Sequence, residues 1–218
     1  MADHPSPEPP VVDRLRAEIL SGALLPGERL IELGLAERYG VGRAAIRAAL
    51  VELDGEGLVQ REAHRGAMVR RVSLTEAIEI TEARGVLEGL LARRAAERAT
   101  ADERIELGEI VAGMERAVAA GALADYSELN RRFHQRLREI AHHEVSRELV
   151  DNLRNRAVHH QYRLSMVPGR ADESLEQHRA VAAAVVAGDA GTAETAMREH
   201  LDSVAAVLRH WNELGVPV

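Results

Sequence analysis

Over residues 28–71, two amphipathic helical patterns flank a glycine turn and are followed by two short alternating segments, an order that few folds satisfy. Leu33, Leu35 and Ala36 begin the first pattern and Tyr39-Gly40 closes it, with Gly40 standing where a helix ends on a left-handed residue. After Val41-Gly42 a second helix is expected over about residues 43–56, with Ile46, Leu50 and Leu53 inward and Arg43 and Arg47 outward, one turn apart. Gly57 stops it. Residues 58–61 and 67–70 alternate apolar and polar as the strands of a small hairpin do, and residues 62–66 form its tip. Helix, turn, helix and basic two-stranded hairpin together make a winged helix-turn-helix.

Upstream, Val12, Leu15, Ile19 and Leu20 recur at helical spacing as far as Ser21-Gly22, Pro26-Gly27 turns the chain, and residues 29–31 form a short extended piece. Residues 1–10 are proline-rich without apolar periodicity, which predicts a disordered tail. Ser73 and Glu76 match the Ser-x-x-Glu capping box, so a new helix starts directly after the hairpin. From there only helical patterns follow, at about 74–99, 102–120, 123–142, 145–166, 171–187 and 190–211. The breaks between them are short, as between antiparallel neighbours in a bundle. The fold expected is mainly α. A disordered tail (1–10) precedes a winged helix-turn-helix domain (11–72) and an all-helical bundle of six to seven antiparallel helices (73–218).

Charge divides along the same boundary. Residues 11–72 carry ten Arg against nine acidic residues, whereas 73–218 carry eighteen against twenty-four, within a net charge of −7 for 218 residues. The near-neutral piece is the one with the helix-turn-helix pattern, so double-stranded DNA is its expected partner. The chain lacks cysteine, which excludes disulfides and thiolate metal sites. It has no apolar run long enough for a membrane span and no signal-peptide pattern at its start, so a cytoplasmic protein without a membrane partner is expected.

Base edges are read by the first turns of the second helix of such a motif, where Arg43 and Arg47 stand. A guanidinium that grips guanine bidentately contributes roughly 1–3 kcal/mol of discrimination. Two arginines on a solvated helix face have the same spacing, and only the turn and hairpin around them favour the DNA reading. Arg65 at the hairpin tip, followed by Gly66, suits a minor-groove or phosphate contact where the backbone approaches closely.

In the helical part Asn130 and His134 lie four residues apart on one helix, and His178 and His200 sit within two later helices. Three helices can converge such side chains inside a bundle, and three neutral imidazoles with an oxygen suit a divalent metal, Zn or Ni. Two alternatives stand beside this: a metal-dependent hydrolase that activates water at three histidines, and a histidine cluster that is purely structural. No well-marked general base accompanies the histidines.

The stretch LRAEILSGALLPGERLIELGLAERYGVGRAAIRAALVELDGEGLVQREAHRGAMV resembles the GntR family of bacterial transcription regulators. The helical part resembles the FadR subgroup, which carries an FCD-type ligand-binding domain. The resemblance implies a homodimeric, effector-controlled repressor on a near-palindromic operator. It also implies metal ligands at Asn130, His134, His178 and His200, because metal-binding members have Asp-x-x-Phe-His on one helix and one histidine on each of two later helices. Arg84, in EARGVLEGL, matches an Arg-x-x-x-Glu stretch suited to a small carboxylate effector. Its competing reading is an i, i+4 pair with Glu88. The chain departs from the family at Gly42, Ala44, Ala45 and Ala48, where polar residues or proline are usual, and at Asn130, which stands for Asp. Arg43 and Arg47 are left to carry more of the readout.

Overall fold

Gly40 adopts the left-handed backbone (φ 67°, ψ 32°) that ends a helix, in the computed structural model, which describes residues 9–62, 66–157, 167 and 169–214. It separates α2 (Glu32–Tyr39) from α3 (Arg43–Gly55), and Gly42 caps α3 through its backbone without a side-chain hydrogen bond. Helix α1 (Val11–Leu20) packs Leu15 and Ile19 against Ile46, Leu50 and Leu53 of α3. Arg16 ties the two helices at the surface through Glu52 and Glu56, at 3.1 and 2.6 Å.

Strands β2 (Val59–Glu62) and β3 (Gly66–Val69) form the expected hairpin, one residue offset at its ends. The sheet has a third member, β1 (Arg29–Leu30), in the order β1-β3-β2, with Arg29 opposite Met68 and Leu30 opposite Ala67. The turn at Pro26-Gly27 presents backbone groups that the edge of β3 satisfies: Gly27 N donates to Val69 O (2.8 Å) and Val69 N to Glu28 O (2.9 Å). Two residues are too short for an alternation signal, so the sequence suggests only an extended piece there.

The chain divides into two compact units, Met1–Val72 and Ser73–Val218. In the second, the described residues form α4 (Leu74–Arg98), α5 (Ala101–Ala119), α6 (Leu123–Ile140), α7 (Glu144–Arg156), α8 (Arg170–Ala187) and α9 (Ala190–Glu213). The later part of the helix expected over 145–166 lies outside the described residues, as do most of the proline-rich tail and the hairpin tip. Ser73 accepts from Glu76 N (3.1 Å) to start α4. A reciprocal capping box starts α5 at Thr100 and Glu103, where the sequence suggests only a break.

Contacts give the directions of the helices. Glu82, Gly89 and Arg93 of α4 meet Arg209, Arg198 and Glu194 of α9 in descending order, so the two run antiparallel. Glu103 and Glu106 of α5 pair with Arg136 and Arg132 of α6, and Arg104 and Glu115 of α5 meet Val186 and Arg179 of α8, both in descending order, which makes α6 and α8 parallel to each other. Phe133, Met114, Leu137, Val181, Met197 and Leu201 fill the core between them. Helix α4 meets α9 along small residues, and a Cβ on Gly89 would stand 2.9 Å from Arg198 Cγ and 3.4 Å from Glu194 O. Gly89→Val is therefore expected to force α4 and α9 apart and to destabilise the fold by about 1–3 kcal/mol. Urea unfolding measures this, and unchanged stability would show that the helices do not need the close approach.

Candidate functional site

Three histidines meet inside the helical unit. His134 comes from α6, His178 from α8 and His200 from α9; their exposures are 4%, 0% and 4%, and one ring nitrogen of each lies within 4.8 Å of the others. His134 Nε2 and His178 Nε2 are 3.1 Å apart. Phe133, the chain's single phenylalanine, sets its ring edge-on to His134 and His178 at centroid distances of 5.7 and 5.0 Å.

The outer nitrogens fix the tautomers. His134 Nδ1 lies 3.0 Å from Glu88 Oε2, and an ionised carboxylate only accepts, so Nδ1 carries the proton and Nε2 presents a lone pair to the centre. His200 Nδ1 meets Gln177 Oε1 at 2.9 Å, and with the amide oxygen as acceptor the same follows for His200. Burial pushes the His134 imidazolium down to about 4 against the opposing pull of Glu88. Burial also takes His178 well below its ordinary value, with the charges of its two histidine neighbours and Arg170 adding to it, and His200 moves the same way. All three are neutral near pH 7, the state a metal requires.

A second ring of charge surrounds the first. Glu88 of α4 is 3% exposed and accepts from Arg84 Nε (2.8 Å), with Arg154 Nη1 at 3.9 Å. Burial works to raise the Glu88 carboxyl, but Arg84, the His134 hydrogen bond and Arg154 overcome it and hold the group well below its usual range. Burial and the like charge of Arg84 pull Arg154 down to about 9. Arg84 is thus buried in the intrahelical pair with Glu88, and that pair reaches the histidines through His134 Nδ1.

The donor set fits a divalent ion. A tetrahedral ion with Zn–N bonds of about 2.0–2.1 Å separates its nitrogens by roughly 3.3–3.4 Å, close to the gap between His134 and His178. Two facing nitrogens at that distance need a proton or a cation between them. Asn130, one turn before His134, has a buried Oδ1 without a hydrogen-bond partner among the described residues, an acceptor left open for a cation or a donor. The outer acceptors on His134 and His200 are the kind that orient metal-ligating imidazoles. An open groove of about 510 Å³ between α5 and α6, lined by Glu106, Asp125, Leu129 and Arg132 among others, contains none of these residues.

In the first unit Arg43 and Arg47 project from the first turns of α3, with side chains 60% and 58% exposed. Glu32 of α2 lies between them: Arg47 Nη2 and Nε donate to its two oxygens at 2.9 and 3.2 Å, and Arg43 Nη2 reaches Oε2 at 3.4 Å. The exposed face also carries Ala44, Ala45 and Ala48. Gly66 begins β3 with a left-handed backbone (φ 89°); Arg65 lies outside the described residues.

The candidates suggested by the sequence are the three histidines, Asn130 and Arg84; the contacts of Glu88 with His134, Gln177 with His200 and Glu32 with Arg43 and Arg47 come only from the structure. Glu88 stands 46 residues from His134, so only its local pairing with Arg84 leaves a trace in the spacing. Gln177 adjoins His178 in sequence yet bonds His200, which no local pattern conveys.

Residues 9–69 match the gntR family of bacterial regulatory proteins, and residues 79–203 match the FCD domain. The HTH-type transcriptional repressor RspR of Escherichia coli K12 is 28% identical over 195 residues, covering 89% of this chain and 86% of RspR. A second protein of that strain, whose name provisionally makes it the regulator of an L-lactate dehydrogenase operon, is 30% identical over 234 residues, covering 93% and 86% of the two chains. Among solved structures, E. coli McbR/YncC superposes with a TM-score of 0.76 at 24% identity, covering 93% of this chain and 96% of that one, a likeness of fold. These relatives and families are transcriptional regulators, not enzymes, which sets aside the hydrolase reading. A winged helix-turn-helix followed by an FCD domain makes this chain a member of the GntR family of bacterial transcriptional regulators.

Proposed function

We propose that the protein is a cytoplasmic, homodimeric repressor of the FadR subgroup. Its helical unit holds a divalent metal, Zn or Ni, through Asn130, His134, His178 and His200, and binds a small organic acid. Its winged-helix unit reads a near-palindromic operator through Arg43 and Arg47, with Arg65 and Gly66 of the hairpin beside them. The observation that carries the reading is the convergence of three buried, neutral imidazoles, two of them with tautomers fixed from outside. A bound divalent ion supplies a Lewis-acidic pole for a carboxylate oxygen. Two relatives, one named a repressor and the other provisionally named the regulator of an L-lactate dehydrogenase operon, support the sign of regulation and the ligand class.

The protein's own groups divide the work. Glu88 keeps the proton of His134 on Nδ1, and Gln177 does the same for His200, so both hold their Nε2 lone pairs inward without rearranging. Glu32 holds the guanidinium groups of Arg43 and Arg47 side by side at the start of α3, ready to exchange one carboxylate for base edges or phosphates. An effector acts by binding one inter-head geometry better than another. A differential affinity of a few kcal/mol changes the DNA-competent population by orders of magnitude.

A second reading, a hydrogen-bonded histidine cluster without metal, is favoured by the 3.1 Å contact of His134 with His178, which a single shared proton satisfies. Chelator treatment separates the two. Added Zn²⁺ or Ni²⁺ at about a hundred times Kd is expected to raise Tm by roughly 5–10 °C in chelator-treated protein, and His178→Ala to abolish the rise. Asn130→Asp is expected to tighten binding by adding a charge, and Glu88→Gln to weaken it by about 10–100-fold. A wild-type melt insensitive to both ions would leave the structural reading standing. At the other unit, Arg47→Ala is expected to lose about 1–3 kcal/mol of preference at one base pair of each half-site. Competition binding against single-base operator variants measures this, and unchanged discrimination would remove Arg47 from base reading.

A further inference from the structure

The histidines leave one layer of the bundle unexplained. Toward the starts of α6 and α8, Asn130 and Ser174 lie one turn and Tyr126 and Arg170 two turns before the histidines, and Ser203 lies one turn beyond His200 on α9. Tyr126 is 4% and Arg170 6% exposed, yet Tyr126 OH and Arg170 Nη2 are buried atoms without a hydrogen-bond partner among the described residues. Ser174 lies beside the Tyr126 hydroxyl and perturbs it, but no hydrogen bond of normal geometry forms between them. Buried polar atoms are mostly satisfied in a folded protein, so a guanidinium nitrogen and a phenol that lack partners among the described residues, with the charge of Arg170 acting on Tyr126, leave two donors available to an outside partner. We propose that this layer is a carboxylate subsite whose cationic anchor is Arg170, with the Tyr126 hydroxyl as the second donor, and that Arg84 is not the anchor. The inference rests on reading the helical unit as a receptor for a small acid.

Arg170 is held for such a role. Its Nη1 donates to Ser203 Oγ (2.8 Å) and lies 3.0 Å from Glu173 Oε2, while Ser203 donates to Glu173 Oε1 (2.8 Å). One edge of the guanidinium is thereby fixed, and Nη2 has no hydrogen-bond partner among the described residues. Glu173 is a weak counter-charge, because its side chain is 56% exposed and solvent screens it. Arg170 keeps its positive field toward the bundle interior, where it acts on His178, His200 and Tyr126. Arg84 differs on each point. It gives Nε and Nη2 to Glu88 Oε1 at 2.8 and 2.7 Å, and the side chains are 6% and 3% exposed, so the pair is neutralised away from water. A carboxylate meeting Arg170 fills an empty donor, whereas one meeting Arg84 competes with a buried carboxylate already in place.

The test uses the full-length protein with acetate, L-lactate, malate and citrate as probes and lactamide as the uncharged control, read by calorimetry and by thermal shift. Wild type is expected to bind at least one of the acids and not the amide. Arg170→Gln is expected to lose tenfold or more in affinity for that acid while keeping its Zn²⁺-induced shift, which separates loss of the subsite from loss of the histidine site. Tyr126→Phe keeps the ring and guards against misfolding of the first variant. It should weaken binding several-fold and leave the ligand-free Tm within about 1 °C, since the hydroxyl it removes makes no hydrogen bond of normal geometry among the described residues. Wild-type affinity in both variants, or a Tyr126→Phe protein that loses stability without ligand, overturns the subsite while the small-acid reading stands. Wild type that binds none of the acids overturns both.

Discussion

The carboxylate of Glu88 ties the helical unit together. It sits in the interior on α4 and gathers Arg84 of its own helix, His134 of α6 and Arg154 of α7. Removing one partner from a buried ion pair typically costs about 3–5 kcal/mol, because the remaining charge is stranded without water. Three helices are therefore locked in register by one group. The same group fixes the proton of His134 on Nδ1, so the geometry of the bundle and the chemistry of the histidines share one cause. Close approach of α9 to α4 at Gly89 brings His200 within reach of that arrangement.

A comparable device at smaller scale operates in the winged-helix unit. Glu32 on α2 pairs with both exposed arginines of α3. The pairs lie at the surface, where ion pairs add little stability. Their consequence is positional: two long side chains that otherwise sample many rotamers are held near one another on the face left bare by Ala44, Ala45 and Ala48. In both units an acidic residue from one helix presets basic or imidazole groups carried by another.

Much of this is legible along the chain, and the reasons are local. Gly40 needs a left-handed backbone, Ile46, Leu50 and Leu53 repeat at helical spacing, and short breaks separate long helical patterns; each is a property of a few consecutive residues. The convergence of His134, His178 and His200 is legible only through resemblance, because their spacing in sequence does not specify a meeting point. Pairs made across the bundle leave no trace in spacing: Glu88 with His134, Gln177 with His200, Arg170 with Ser203. Strand β1 escapes for a different reason, being two residues long and defined by what β3 leaves unpaired. Arg84 illustrates a third case, in which the local reading, its pair with Glu88, describes the contact and the wider reach to His134 gives it meaning.

The proposed metal centre is most directly examined by X-ray absorption at the metal edge, on full-length protein reconstituted with Zn²⁺ or Ni²⁺ and freed of excess ion. One ion per chain is expected, with imidazole scattering from three histidine rings and first-shell bonds near 2.0–2.1 Å for zinc. Substoichiometric metal, or a first shell without the imidazole signature, would contradict a centre built by His134, His178 and His200.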